Sequence, residues 1–469
     1  MTKPFNADVS AELLRAAGLD SDAAAAWFAA QPRGAREIDE DCRVFSEFWR
    51  QSAGLLARLP NKTRRNAAEH AAAELIDQHA RQARMRFLAA HVEALYDRLT
   101  DRRSHFLRID ELVAAAARAL PGLTPTAEEV AADSRLPLRD KSGVEIDQGL
   151  FLSAVLASER PGRHLCHAML LPLRAAVELA PRLARERLVD LGGASVEQQG
   201  RASVVTMRNP QHLNAEDDTT LSAMATCVDL ALLDQSTSVA VLRGAPVLHP
   251  RYPNRRLLGA GINLSHLHQG RIPYLWYIER DLGYVHKIYR GLANAETLPD
   301  DVSGETIEKP WIAALEGFAI GGHCQLLLVS DYIIAERTAY LTLPARKEGI
   351  IPGFANLRLP RFVGDRIAQQ AIQYERRIDC DQPDGRLICD EIVDVGTMDA
   401  AIGRVVDGLS SSGVVSAAAN RRALRVGQEP FDLFRAYAAV YAREQAFCHF
   451  SPALITNLER YWIGRERAG

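Results

Sequence analysis

A glycine pair set between two apolar runs constrains this chain more than any other feature. The stretch reads Lys309-Pro-Trp-Ile-Ala-Ala-Leu-Glu-Gly-Phe-Ala-Ile-Gly321-Gly322-His-Cys-Gln325-Leu-Leu-Leu-Val-Ser-Asp331. Residues 312–315 form an apolar run bounded by proline and glycine, the pattern of a buried strand. Residues 326–329 start a second apolar run of helical type. Gly321 and Gly322 fall at the junction. Lacking side chains, they let backbone N–H groups face outward, and the N-terminus of the next helix adds the positive end of its dipole. Such a junction suits the stabilisation of an oxyanion.

Upstream, Arg208-Asn209-Pro210-Gln-His-Leu-Asn214-Ala215 follows a strand-like run at 203–207. A second apolar strand at 239–242 leads to Leu258-Gly259-Ala260-Gly261-Ile262-Asn263-Leu264. Downstream come Pro344-Ala345-Arg-Lys-Glu-Gly349-Ile-Ile-Pro352-Gly353 and Arg358-Leu-Pro-Arg-Phe-Val-Gly364. These five segments, in this order, resemble the crotonase (enoyl-CoA hydratase/isomerase) superfamily over about residues 200 to 400. The resemblance implies an α/β core of repeated ββα units in a spiral. It also implies an oxyanion hole for a CoA thioester, built from the Ile262 and Gly322 amides.

Two departures narrow the chemistry. Where hydratases of the superfamily carry glutamates, this chain has Gln325 and Ala345. Neither an amide nor a methyl group acts as a general base, so hydration of a double bond is disfavoured. With its long N-terminal extension the pattern resembles the cofactor-independent dioxygenases of glycopeptide-antibiotic biosynthesis. That resemblance implies conversion of 3,5-dihydroxyphenylacetyl-CoA and O2 to 3,5-dihydroxyphenylglyoxylate and CoA, with neither metal nor flavin, CoA entering only as part of the substrate. The alternatives are a crotonase-type hydrolase or decarboxylase of an arylacetyl-CoA, and a non-catalytic acyl-CoA-binding scaffold.

By resemblance, Glu216 and Arg280 hold the aromatic ring, and Gln325 hydrogen-bonds a peroxide or the thioester. The plain alternative for Glu216 is an acid in the first turn of a helix capped by Asn214, and for Arg280 a solvated helix face. CoA is expected along His249, Arg251 and Tyr252, the loop Gly259, Ala260, Gly261, Ile262, Asn263 and Leu264, and the turn Ile320, Gly321 and Gly322. The basic loop could equally be plain exposed surface. Ile262, Leu264, Ile350 and Ile351 are expected to line a dry niche for oxygen, ordinary core packing being the alternative.

No metal site is expected. The histidine pairs His164/His167 and His266/His268 lack an acidic partner at facial-triad spacing. Nor does any GxGxxG or Walker-type loop open a strand-to-helix junction. A net charge of -3 argues against nucleic acid or an anionic membrane as partner. Seven singly scattered cysteines and the absence of an apolar leader in the first residues read as a reduced cytoplasmic setting.

The chain changes texture twice. No glycine or proline occurs between Pro60 and Pro121, and Val92, Leu95, Tyr96 and Leu99 recur at helical spacing. We expect a helical N-terminal domain over 1–195, interrupted at 121–143 and joined to the core by a bridge at 188–200. A catalytic core over 196–400 and a C-terminal helical region over 401–469 follow. By resemblance, that last region, with aromatics from Phe431 to Trp462, supports a homotrimer or a hexamer of paired trimers.

Overall fold

The computed structural model describes residues 7–33, 37–297, 300–302, 304–411 and 414–463, and side-chain surroundings from 12 onward except at 414, 415, 462 and 463. The extreme ends of the expected domains, and the side chain of Trp462, lie outside this set.

The glycine- and proline-free stretch is helical over most of its length, as expected, in two helices: a long one, Ala67–Leu99, and a shorter one, Ile109–Ala119, after a turn in which Asp101, Arg102 and Arg103 take positive φ. Asn66 accepts from the Glu69 N–H at 3.0 Å and Glu69 caps the Asn66 N–H at 2.7 Å, satisfying two of the orphan donors at the start of the long helix. Val92, Leu95 and Tyr96 face inward. An aromatic cluster seats this helix: Phe87 lies 5.4 Å from Phe45 and 5.8 Å from Trp49 between ring centroids, both on the helix Ile38–Leu56. The interruption at 121–143 contains a short helix of its own, Ala127–Asp133.

The expected bridge is part of the sheet. Leu188–Asp190 and Ala194–Gln199 are strands, paired antiparallel with each other, and the second pairs antiparallel with Ala202–Met207. Gly192 takes a positive φ of 78° in the turn between them, so the glycines that read as a linker close a hairpin. Four parallel strands follow, Val239–Gly244, Trp311–Leu315, Tyr332–Glu336 and Glu391–Val393, completing a seven-stranded sheet in that order. A second sheet of Phe318–Ile320, Tyr340–Thr342 and Ile378–Asp379 stands beside it. Trp311–Leu315 is buried at every position, as a parallel strand covered on both faces must be.

Lys309 clamps the start of that central strand. Its buried ammonium donates to the carbonyls of Ala231 and Asp234 and to Thr237 Oγ1, and burial pulls its pKa down to about 8. The C-terminal region is helical, and its helix Phe431–His449 packs within the chain on Ile146–Ala157. A side chain at Gly149 would come within 2.4 Å of Ala446 Cβ, so two small residues allow the close approach. Phe431, Phe434 and Tyr441 are buried here, which takes part of the aromatic tail expected at subunit contacts into the protomer core.

Candidate active site

The helix after the glycine turn is Gly322–Leu327, beginning at the second glycine itself, four residues before the apolar run suggested. Gly321 takes φ 54° and ψ -116°, a conformation that L side chains avoid. Gly322 is glycine for a different reason. A Cβ there would sit 3.0 Å from Glu216 Oε2 and 3.1 Å from Arg280 Nη2.

The other half of the expected oxyanion hole is held by backbone pairing. Glu216 N–H donates to Gly261 O at 2.7 Å and Asn263 N–H donates to Glu216 O at 2.8 Å, so Ile262 is fixed in a parallel bridge to Glu216. Among the described residues no internal acceptor takes the N–H of Ile262 or Gly322. His323 joins the two halves. It directly follows Gly322, and its Nδ1 accepts the Gly261 N–H at 2.9 Å, which places the ring proton on Nε2. Burial pushes this imidazole down to about 4, in keeping with an acceptor role. Gly259 leaves room for it, since a Cβ there would lie 2.1 Å from His323 Nε2.

Between these turns lies a cavity lined in part by Ile262, Gly321, Gly322, Gln325, Ile350 and Ile351. Glu216 and Arg280 also reach it, both almost fully buried. Glu216 precedes the helix Leu221–Leu233 and sits in the bridge to Ile262, so the first-turn reading does not hold; nor is Arg280 solvated.

Glu216 and Arg280, expected on two sides of a ring, pair with each other. Arg280 Nε and Nη2 donate to the two Glu216 oxygens at 2.9 and 2.8 Å, and Tyr284 donates its hydroxyl to Glu216 Oε1. The remaining Arg280 N–H groups reach Asp281 Oδ1 at 2.7 Å, Gln325 Oε1 at 2.6 Å and Gly322 O at 2.8 Å. All five guanidinium donors are thus engaged inside the protein. Burial pushes the Glu216 carboxyl up, but the Arg280 charge and these hydrogen bonds overcome it and leave the group below the usual glutamate range. Arg280 thus has no N–H left to offer the cavity, whereas the Glu216 carboxylate can still accept.

Arg280 also orients Gln325. Arginine cannot accept a hydrogen bond, so the Gln325 carbonyl must face it and the Gln325 NH2 must face the cavity. The glutamine therefore presents donors to whatever occupies the space.

Other expected residues lie elsewhere. Leu264 starts the helix Leu264–His268 and packs on the core, away from the cavity wall. Asn263 caps that helix, accepting from His266 N–H at 3.2 Å, while its Nδ2 donates to Asp217 at 2.9 Å. His249, Arg251 and Tyr252 sit on an antiparallel hairpin, with Arg251 exposed. Gly259 is packed under His323, and Ala260 and Ile320 border the two glycine turns half-buried. Among the described residues one group, Asp217, Asp218 and His266, has metal-like spacing. Its atoms are already engaged by Thr219, Asn263 and Arg271, and it does not line the cavity.

Several cavity residues escaped the sequence reading, among them Asp281, Tyr441 and Glu348. Glu348 ends the single helical turn Ala345–Glu348 and is 6 % exposed. Its place three residues after Ala345, on the same side of that turn, is the signal that could have revealed it.

The enoyl-CoA hydratase/isomerase family model matches residues 299–423. The (3,5-dihydroxyphenyl)acetyl-CoA 1,2-dioxygenase of Amycolatopsis orientalis is 44% identical over 425 residues, 90% of this chain and 96% of that protein. A short-chain-enoyl-CoA hydratase of Clostridium acetobutylicum is 27% identical over 51% of this chain and 84% of its own length. An enoyl-CoA hydratase structure from Mycobacterium avium subsp. paratuberculosis aligns with a TM-score of 0.47 at 19% identity, covering 58% of this chain and 99% of that one. With a long relative matched almost end to end and the paired glycine turns in place, the chain belongs to the enoyl-CoA hydratase/isomerase, or crotonase, superfamily.

Proposed function

We propose that this protein is a dioxygenase converting 3,5-dihydroxyphenylacetyl-CoA and O2 to 3,5-dihydroxyphenylglyoxylate and CoA. The observation that carries this reading is the 44% identity to a dioxygenase of that substrate across 90% of the chain. The site's chemistry supports it. Loss of a Cα proton gives an enolate whose oxygen lies between the Ile262 and Gly322 amides. A removed donor of this kind costs about 2.7 to 4 kcal/mol of transition-state stabilisation in enzymes where it was tested. The enolate reduces O2 and forms a Cα peroxide. The peroxide attacks the thioester carbonyl and expels CoA thiolate, and O–O cleavage with loss of the second Cα proton leaves the keto acid. Gln325 Nε2 would donate to the peroxide or the thioester oxygen, and Glu216 would accept from a ring hydroxyl. Ile262, Ile350 and Ile351 supply apolar wall for oxygen.

The reading extends to a reaction without metal or flavin, to a trimer-based assembly and to a cytoplasmic setting. No described helix is long and apolar enough to cross a membrane. The test is oxygen uptake alongside free-thiol release, with 3,5-dihydroxyphenylacetyl-CoA, on protein treated with chelator and checked for flavin. Matched uptake and release are expected. Thiol release without oxygen uptake would make the protein a hydrolase of the superfamily instead.

A further inference from the structure

Three carboxylates line the cavity, Glu216, Asp281 and Glu348, and they are not equivalent. Glu216 is tied to Arg280 and Tyr284. Asp281 accepts from Arg280 and Tyr441 and lies under Gly353, where a Cβ would meet its Oδ2 at 2.1 Å. Glu348 alone has no hydrogen-bond or ion-pair partner among the described residues, although it is almost fully buried. Its Oε2 lies 3.9 Å from the position of a Cβ on Gly321, beside the turn whose next N–H belongs to the oxyanion hole. The thioester Cα is bonded to the carbonyl carbon whose oxygen that N–H would hold, so Glu348 stands on the reacting side of the cavity.

The short turn carrying Glu348 is braced from the C-terminal region. Gly349 passes 3.0 Å, measured from a Cβ, from the backbone of Leu454, and Asn457 Nδ2 donates to Arg346 O at 3.3 Å. Next along the chain, Ile351 N–H donates to Gln445 Oε1 at 3.0 Å. A carboxylate kept without a partner on a braced turn has a cost in stability that packing alone does not explain.

We propose that Glu348 is the base that takes the Cα proton of the bound arylacetyl-CoA. This rests on the dioxygenase reading for the identity of the substrate. The Cα–H bond breaks, its proton goes to a Glu348 oxygen, and its electron pair moves through the new C=C bond onto the thioester oxygen held by Ile262 and Gly322. No oxidant enters at this step. Gln325 and Ala345 fill the two positions where hydratases keep their acids, and Glu348 restores a carboxylate one helical turn away.

The surroundings suit the role. Burial, with a smaller push from Glu375, raises the Glu348 carboxyl to about 7. Glu375 is itself held by Arg346 and Lys347. The other titratable groups facing Glu348 are Tyr277 and Cys324, both neutral at this pH because burial raises them. Across the cavity the Arg280 charge is already paired with Glu216 and Asp281.

The test is Cα hydrogen–deuterium exchange of 3,5-dihydroxyphenylacetyl-CoA in D2O without oxygen, followed by NMR. Wild-type protein should exchange, with a rate rising with pH and levelling just above 7. Glu348→Gln should slow exchange by about 100-fold or more, lose the acidic limb, and still bind the substrate within about threefold of wild type by calorimetry. Glu348→Asp should fall between them and keep the limb. Exchange by Glu348→Gln at the wild-type rate with the same pH profile would overturn the assignment, even if wild type takes up oxygen as proposed. Wild-type exchange without oxygen uptake would instead refute the dioxygenase reading and leave the base in place.

Discussion

The Arg280–Glu216 pair can be weighed by a double-mutant cycle. The two side chains are 3 and 4 % exposed and joined by two hydrogen bonds of 2.9 and 2.8 Å. Removing one partner of a buried pair leaves a charge with no compensation, a loss of about 3 to 5 kcal/mol. Arg280→Met should approach the upper end because Asp281 loses the same partner. Glu216→Gln should cost about 1.5 to 3 kcal/mol, the value of hydrogen bonds to a charged group, since Arg280 keeps Asp281, Gln325 and the Gly322 carbonyl. The double variant leaves neither of the two charges stranded, so its loss should fall short of the sum by at least about 1.5 kcal/mol. Urea unfolding of the four proteins near pH 7.5 measures this, and additivity within about 0.5 kcal/mol would refute the reasoning. A second readout is independent of stability. Arg280→Met frees the Gln325 amide to turn, so oxygen consumed per thiol released should drop below one at temperatures where the variant is folded.

Other expectations follow from single contacts. Gly259→Ala would drive a methyl into His323, displace the ring from Gly261 and lower kcat for thiol release by about 100-fold, the usual cost of a misplaced oxyanion donor; a kcat within threefold of wild type would separate His323 from the oxyanion loop. Glu348 is raised from 4.5 to about 7. Its contribution to folding is therefore whole below about pH 4.5 and lost as pH rises through 7, so Glu348→Gln should be the more stable protein at pH 8 by up to about 3 kcal/mol. Unfolding curves at pH 8 and pH 4.5 should show that gap open and closed, and an equal gap at both would contradict it. Ile351→Thr should raise the apparent KM for oxygen by about fivefold or more, the effect of about 1 kcal/mol for an unpaired hydroxyl, whereas Leu264→Thr, off the cavity wall, should leave it unchanged once stability is matched; the reverse ranking would move the niche.

Much of the scaffold was legible residue by residue. The run at 312–315 is buried on both faces and could be little but a covered parallel strand, and the glycine- and proline-free stretch after Pro60 is helical over most of its length, broken by the turn at 100–108. Local chemistry misled where a glycine has two uses. Gly192 and Gly193 read as a linker and close a hairpin instead, because a strand that feeds the edge of a sheet needs partners that no local pattern names. The motif glycines were found, but the causes differ from one to the next. Gly321 answers to its own φ, while Gly259 and Gly322 answer to His323, Glu216 and Arg280, which lie far away in sequence or across a turn.

The sequence by itself determined the helical extension, the strand-turn-helix order of the core, and the two glycine turns that meet at the site. Each is written in periodicity or in backbone freedom, which act over a few residues. Only the tertiary structure decided that Arg280 faces Glu216 rather than solvent, that its guanidinium turns the Gln325 amide toward the cavity, and that Glu348 is left there without a partner among the described residues. Those outcomes depend on desolvation and on which charges meet after segments 45 to 64 residues apart have packed together, and neither is a property of any one stretch of chain.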